Sequence, residues 1–316
     1  MRQKVTLISP SCAIAWAGSY LGARIAIAKL RELAANGELT VQKVLEYLNT
    51  DEDMRQHEIQ IVGWIHGGNY VDHFQYECAS HSNLVSSCFY VGGSGAELFL
   101  DAAQQEISLG LKNAHTNFYG IGYSLSVAGL FLQDEFYNGE SASTLRNNFG
   151  AAFEIACLTP RGFEKLRSVT FLLWTAQIDE QTKSVVLSKP LFAMKQSYLD
   201  DILLIRSTKF EDCVDSEGHR TTTERAFAVF PMYEVSKPSA ISFKNYTYNS
   251  DFICNCILLK IGVSTVSKTL IVGNGGPKSA WLQFVEMDGR IKLKAHDDFF
   301  RAMHDLIGRN SPTKKS

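Results

Sequence analysis

No stretch of this chain is apolar for long enough to cross a bilayer; Pro10, Ser11 and Ser19 interrupt the best candidate. No secretory leader is expected either: Met1-Arg2-Gln3-Lys4 is basic, but Val5 to Ile8 is too short for an apolar leader core. Charge of one sign is also scarce. The 316 residues carry 31 Lys and Arg against 33 Asp and Glu, a net charge of −2, with no dense basic run before the last few residues. That balance argues against nucleic acid or an anionic membrane surface as partner. No internal repeat stands out.

Cofactor signatures are missing too. Gly92-Gly93-Ser94-Gly95 lacks the third glycine and the acidic partner of a dinucleotide fingerprint. Gly273-Asn274-Gly275-Gly276-Pro277-Lys278-Ser279 lacks the four-residue gap of a phosphate loop, and Pro277 removes an N–H, so it reads as a turn. His66, His73, Cys78 and His81 fit no zinc spacing, and strand alternation puts His73 and Cys78 on opposite faces. No metal or cofactor is expected. Seven cysteines (Cys12, Cys78, Cys88, Cys157, Cys213, Cys254 and Cys256) are an odd number, mostly inside apolar runs. They suit buried free thiols in a reducing cytoplasm. Asn245-Tyr246-Thr247 matches a glycosylation sequon, which carries no weight without a leader.

What the chain does have is an ordinary globular composition, 45% hydrophobic and 20% charged, and length for one large domain or two ordinary ones. Its most informative part is the first fifty residues. Lys4-Val5-Thr6-Leu7-Ile8 opens a strand region, and Ala13-Ile14-Ala15-Trp16-Ala17 is an unbroken apolar run, as expected for a strand buried on both faces. Ala17-Gly18-Ser19 then makes a tight corner. Ala23, Ala26, Ile27, Leu30, Leu33 and Ala34 fall on one helical stripe, stopped by Asn36-Gly37. Thr40 caps a second helix whose inward face is Val41, Val44, Leu45 and Leu48.

Strands are expected at Ile59–Ile65, His73–Cys78 and Ser87–Gly92, with a turn at Gly67-Gly68-Asn69. Helices are expected over Ala96–Gln105 and Ser124–Tyr137. After Gly150 the pattern turns to β. Ala152–Leu158 and Val169–Ala176 read as a strand pair around Thr159-Pro160-Arg161-Gly162. Further strands fit Ser184–Leu187, Arg225–Phe230, Phe252–Ile261 and Trp281–Glu286. The polar stretch Lys209–Thr223 reads as a loop or boundary, and Asp297–Ile307 as a closing helix.

This order of strand, glycine corner, helix, helix, strand, strand, Gly-Ser-Gly and helix resembles the proteasome β-type, HslV-like N-terminal nucleophile (Ntn) hydrolases. Tyr90-Val91-Gly92-Gly93-Ser94-Gly95 resembles the family's turn before a helix, and Gly150 to Ile155 its helix-to-strand return. The likeness spans residues 4 to 175. It implies an α+β fold, a four-layer αββα sandwich, over residues 1–176. A β-rich extension with a closing helix follows over 177–310, and a tail over 311–316. Three residues map onto the family's catalytic positions. Lys4 falls on the lysine that keeps the nucleophile's amine neutral, Gly18 on the glycine whose N–H holds the oxyanion, and Ser94 on the auxiliary serine. Trp16, Ser19 and Tyr20 fall beside the substrate, with Trp16 filling much of the side-chain pocket.

Each residue also has a plainer role: Lys4 as a solvated strand-end lysine, Gly18 as a strand-to-helix corner, Ser94 as a turn residue or N-cap. The family's N-terminal threonine and the aspartate after it would lie upstream of Met1. Arg146 and Phe149 stand where the family has an Asp and a Ser. The resemblance therefore implies a threonine-type peptidase or amidohydrolase, on a reading frame expected to start further upstream. Cys12 as an alternative nucleophile would require a cut that discards Lys4. The implied substrate is a peptide or small amide, and the implied assembly a homo-oligomer. The alternative is a non-catalytic scaffold or binding subunit of the same fold.

Overall fold

In the computed structural model, residues 2–77, 79–80, 90–91, 117–138, 152–179, 181, 185–214, 220–233, 247–261, 264–273, 281–287 and 290–308 are described. The fold is mixed α+β; strands take about half of the described residues and helices a smaller share. Two compact units divide the chain. The first takes Met1–Val127, Glu140–Leu166 and Val229–Ser236, and the second takes Ala128–Gly139, Arg167–Ala228 and Lys237–Ser316.

The first unit opens with β1 (Val5–Ser9) and β2 (Cys12–Gly18), followed by α1 (Tyr20–Ala35), α2 (Val41–Thr50) and the single turn α3 (Glu52–Arg55). Then come β3 (Ile59–His66) and β4 (Val71–Tyr76). β1 to β4 form an antiparallel sheet in sequence order. The short pair β5 (Ala79–Ser80) and β6 (Tyr90–Val91) follows, then helix α4 (Asn117–Asn138), whose residues are shared between the units. Cys12, Ile14 and Trp16 of β2 alternate toward one face. There they join Ala23, Ala26, Ile27 and Leu30 of α1, Val44 and Leu48 of α2, and Ile59 and Ile61 of β3 in one buried cluster. Each fully buried Ile or Leu here contributes roughly 1.5–3 kcal/mol relative to exposure.

Caps explain the boundaries. Ser19 Oγ accepts the Gly22 N–H to start α1, Asn36 and Gly37 (φ +69°) end it, and Thr40 Oγ1 accepts from Lys43 to start α2. At the β3–β4 turn, Gly67 N–H donates to the Tyr70 C=O and Gly68 takes φ +84°.

β7 (Ala156–Thr159) and β8 (Gly162–Lys165) form a hairpin of the first unit. The expected pairing of Ala152–Leu158 with Val169–Ala176 is therefore corrected. Pro160 and Arg161 close a tight turn at once, and Gly162 (φ +112°) lies so close to the Pro10 C=O that a Cβ would sit 2.2 Å from it.

In the second unit β9 (Ser168–Ile178) is central. With β10 (Val185–Leu187), β11 (Phe192–Leu199), β12 (Ile202–Val214), β13 (Arg220–Val229), β14 (Phe252–Ile261) and β15 (Ser264–Gly273) it makes a seven-stranded sheet. The order is β13-β12-β11-β9-β14-β15, with β10 on β9; β14 runs parallel to β9, while β10 with β9, β11 with β9 and β12, and β14 with β15 pair antiparallel. The polar stretch expected to be a loop over Lys209–Thr223 is mostly strand, since β12 runs to Val214 and β13 starts at Arg220. A charged edge strand is tolerated because one side of its ladder faces outward. β16 (Leu282–Met287) and β17 (Arg290–Ala295) form a hairpin, and α5 (Asp297–Gly308) closes the chain with Phe299, Met303 and Ile307 buried. Among the described residues no helix is long and apolar enough to cross a membrane.

Candidate active site

The β1–β2 register sets the site. Val5 pairs with Ala15 and Thr6 with Ile14, so one step further Lys4 lies beside Trp16. The Trp16 N–H donates to the Lys4 C=O at 3.1 Å. Lys4 Nζ rests 3.5 Å from the centroid of the Trp16 ring. Burial against this ring lowers the Lys4 pKa from its ordinary 10.5, and the Glu154 carboxylate opposes that shift. Trp16 is 5% exposed, and among the described residues its buried Nε1 has no hydrogen-bond partner.

Gly18 has φ +93°, and a Cβ there would lie 2.4 Å from the Glu58 carbonyl oxygen. Only glycine fits. The Ser19 N–H donates to that same oxygen at 2.8 Å, as the β2–β3 register requires. Antiparallel alternation then turns the Gly18 N–H the other way, past the start of β1. Among the described residues it meets no acceptor. A lysine of lowered pKa and an uncommitted backbone N–H thus lie at the same end of one hairpin. Such an N–H can donate a hydrogen bond to a carbonyl oxygen as negative charge develops on it.

A second layer ties the start of β1 in place, and sequence reading missed it. Glu154 Oε2 accepts the N–H of Lys4 at 2.6 Å and of Val5 at 3.2 Å. Its Oε1 takes Lys165 Nζ at 2.9 Å, and their side chains are only 9% and 16% exposed. Lys165 also donates to Gln3 Oε1 at 2.6 Å, while Gln3 Nε2 donates to the Val229 C=O at 2.9 Å. A nearly buried ion pair lasts only when its remaining hydrogen-bonding capacity is used, and here it is. Gln3, Lys4 and Val5 lie about 150 or more positions from Glu154, Lys165 and Val229, so no local signal could have united them.

The residues expected to act here are distributed as follows. Lys4, Trp16 and Gly18 come together. Ser19 serves as the N-cap of α1, and Tyr20, 40% exposed, sits in that helix's first turn. Ser94, Arg146 and Phe149 lie outside the described residues. Cys12 is fully buried and its thiol is pushed up to about 12 by that burial, so it stays protonated and poorly nucleophilic. Among the described residues no three His, Cys, Asp or Glu side chains converge as a metal site. Neither a protein-family model nor a curated protein sequence matches this chain.

Proposed function

We propose that the first unit is the catalytic framework of an Ntn-type amide hydrolase, in which an N-terminal hydroxyl or thiol attacks a peptide or small-amide carbonyl. The observation that carries this reading is the placement of Lys4, on the Trp16 ring, at the same end of the β1–β2 hairpin as the Gly18 N–H. In the reaction the nucleophile's α-amine takes the hydroxyl or thiol proton as the bond to the carbonyl carbon forms. Lys4 holds that amine neutral, and the Gly18 N–H donates to the oxyanion. Collapse of the tetrahedral intermediate expels the leaving amine, and water then releases the acyl group. The four-layer αββα sandwich, the homo-oligomer and a role for Ser94 belong to the same proposal. The nucleophile itself is not supplied by the described residues near Lys4, where no hydroxyl or thiol reaches Nζ.

That last point favours a second reading, a non-catalytic scaffold or binding subunit of the same fold. The two are separated with protein from its native source. Terminal sequencing and intact mass give the first residue of the mature chain, and an electrophilic β-lactone probe tests it for reactivity. The hydrolase reading expects a first residue of Thr, Ser or Cys that the probe acylates. Gly18→Ala keeps the N–H, but its Cβ would meet the Glu58 carbonyl oxygen and shift that donor, so hydrolysis is expected to fall by up to about 100-fold, the size of one lost oxyanion donor. A mature chain with any other first residue, inert to the probe, overturns the hydrolase reading.

A further inference from the structure

The rim of the site carries cations that the reaction does not use. Arg2 and Arg24 are both exposed, and their guanidinium carbons lie 5.7 Å and 5.9 Å from the ring centroid of Tyr20. Two features set this spacing. Arg24 follows Tyr20 by four residues on α1 and so shares its face, while Arg2, just before β1, is held by its backbone bridge to Phe230. Among the described residues no Asp or Glu is ion-paired with Arg2 or Arg24; the Arg2 Nη1 contact is to the Pro231 carbonyl. Glu154, the carboxylate of the adjoining cluster, is committed to Lys165 and to the N–H groups of Lys4 and Val5. The first turn of α1, where the helix dipole is positive, carries no acidic residue to offset it.

Resting on the amide-hydrolase reading of this site, we infer that its substrate bears a carboxylate on the side chain next to the amide carbonyl held at Gly18. Arg2 and Arg24 would take that carboxylate by charge-assisted hydrogen bonds, with Tyr20 giving the aliphatic part of the side chain a ring face to lie on. A glutamyl or aspartyl residue meets this description. A neutral or basic one offers no counter-charge to the two guanidinium groups at the Tyr20 ring.

Isothermal titration of the full chain with three amidated, N-acetylated tripeptides, Ala-Ala-Glu, Ala-Ala-Gln and Ala-Ala-Lys, tests this without requiring turnover. The Glu peptide is expected to bind about fivefold tighter than the Gln peptide at low salt, the scale of one or two exposed ion pairs, and the margin shrinks as salt is added. Arg24→Glu, an exposed helix position that leaves the core untouched, is expected to reverse the order in favour of the Lys peptide. Equal binding of all three peptides overturns the anionic preference while leaving an amide site intact. Binding of none of them overturns the amide-site reading and the preference with it. A preference that survives Arg24→Glu and Arg2→Gln overturns the assignment to these two side chains.

Discussion

Among the described residues, each unit holds one lysine whose pKa is pushed down by burial and partly restored by a carboxylate: Lys4 near Glu154 in the first, Lys195 near Asp251 in the second. Their protons are used differently. Lys195, 9% exposed on β11, donates from Nζ to the carbonyls of Thr247 at 2.8 Å and Asn249 at 2.7 Å. Lys4 Nζ lies on an indole face with no acceptor among the described residues. The tryptophans divide the same way. Trp174 Nε1 donates to Asn255 Oδ1 at 3.1 Å, whereas Trp16 Nε1 has no such partner. A half-buried cation with its protons committed is a tie; one with its protons uncommitted is available for chemistry.

The strongest way to break that contrast is to remove both ammonium groups. Lys195→Met leaves two carbonyls without their charged donor and should lower stability by about 3 kcal/mol in urea denaturation; Lys4→Met should change it by less than about 1 kcal/mol. Equal losses would make Lys4 a tie as well. Next in size is the tryptophan pair. Trp174→Phe strands Asn255 Oδ1 in the core and should cost about 2 kcal/mol. Trp16→Phe removes an unpaired donor, which offsets its lost packing to within about 1 kcal/mol.

The smallest and sharpest test is titration. Carbon-13 NMR of the lysine Cε should show Lys4 deprotonating below 10.5, and Glu154→Gln should push the midpoint lower still by removing the charge that raises it. The sign for stability follows from proton counting. Between the folded midpoint and the ordinary value the unfolded chain binds more protons, so this site's contribution rises as pH climbs through that window. A midpoint unmoved by Glu154→Gln would remove Glu154 from the electrostatics of the site.

Local signals made much of the framework legible. The apolar run at Ala13–Ala17, the Gly18 corner, the α1 stripe and the cap at Thr40 are each written within a few residues. The 3.6-residue spacing of Phe299, Met303 and Leu306 likewise placed the closing helix. The β11–β12 hairpin was not legible. Its turn uses Asp200 at φ +50° and Asp201 rather than glycine or asparagine, and its strands bury Lys195 and Arg206, charges that hide an interior strand. The parallel pairing of β14 with β9 joins segments some 80 residues apart, beyond any local pattern. At the candidate site, Lys4 and Gly18 were singled out by the resemblance to the proteasome β-type family. Gln3, Glu154 and Lys165 were missed because their partnership exists only after folding.

Gln3 ends up bonded through its N–H and its amide to the carbonyls of Phe230 and Val229, 226 positions from Gln3 in the second case. On a ribosome adding about 5–20 residues per second, the partner emerges roughly 10–45 s after Gln3 itself. The leading hairpin can form early, but its first residues stay untied until most of the seven-stranded sheet's strands have been synthesised. The Arg2-Gln3 segment is therefore among the last parts of this hairpin to be fully tied, and a translation product stalled before Val229 would present it to chaperones and proteases without those bonds.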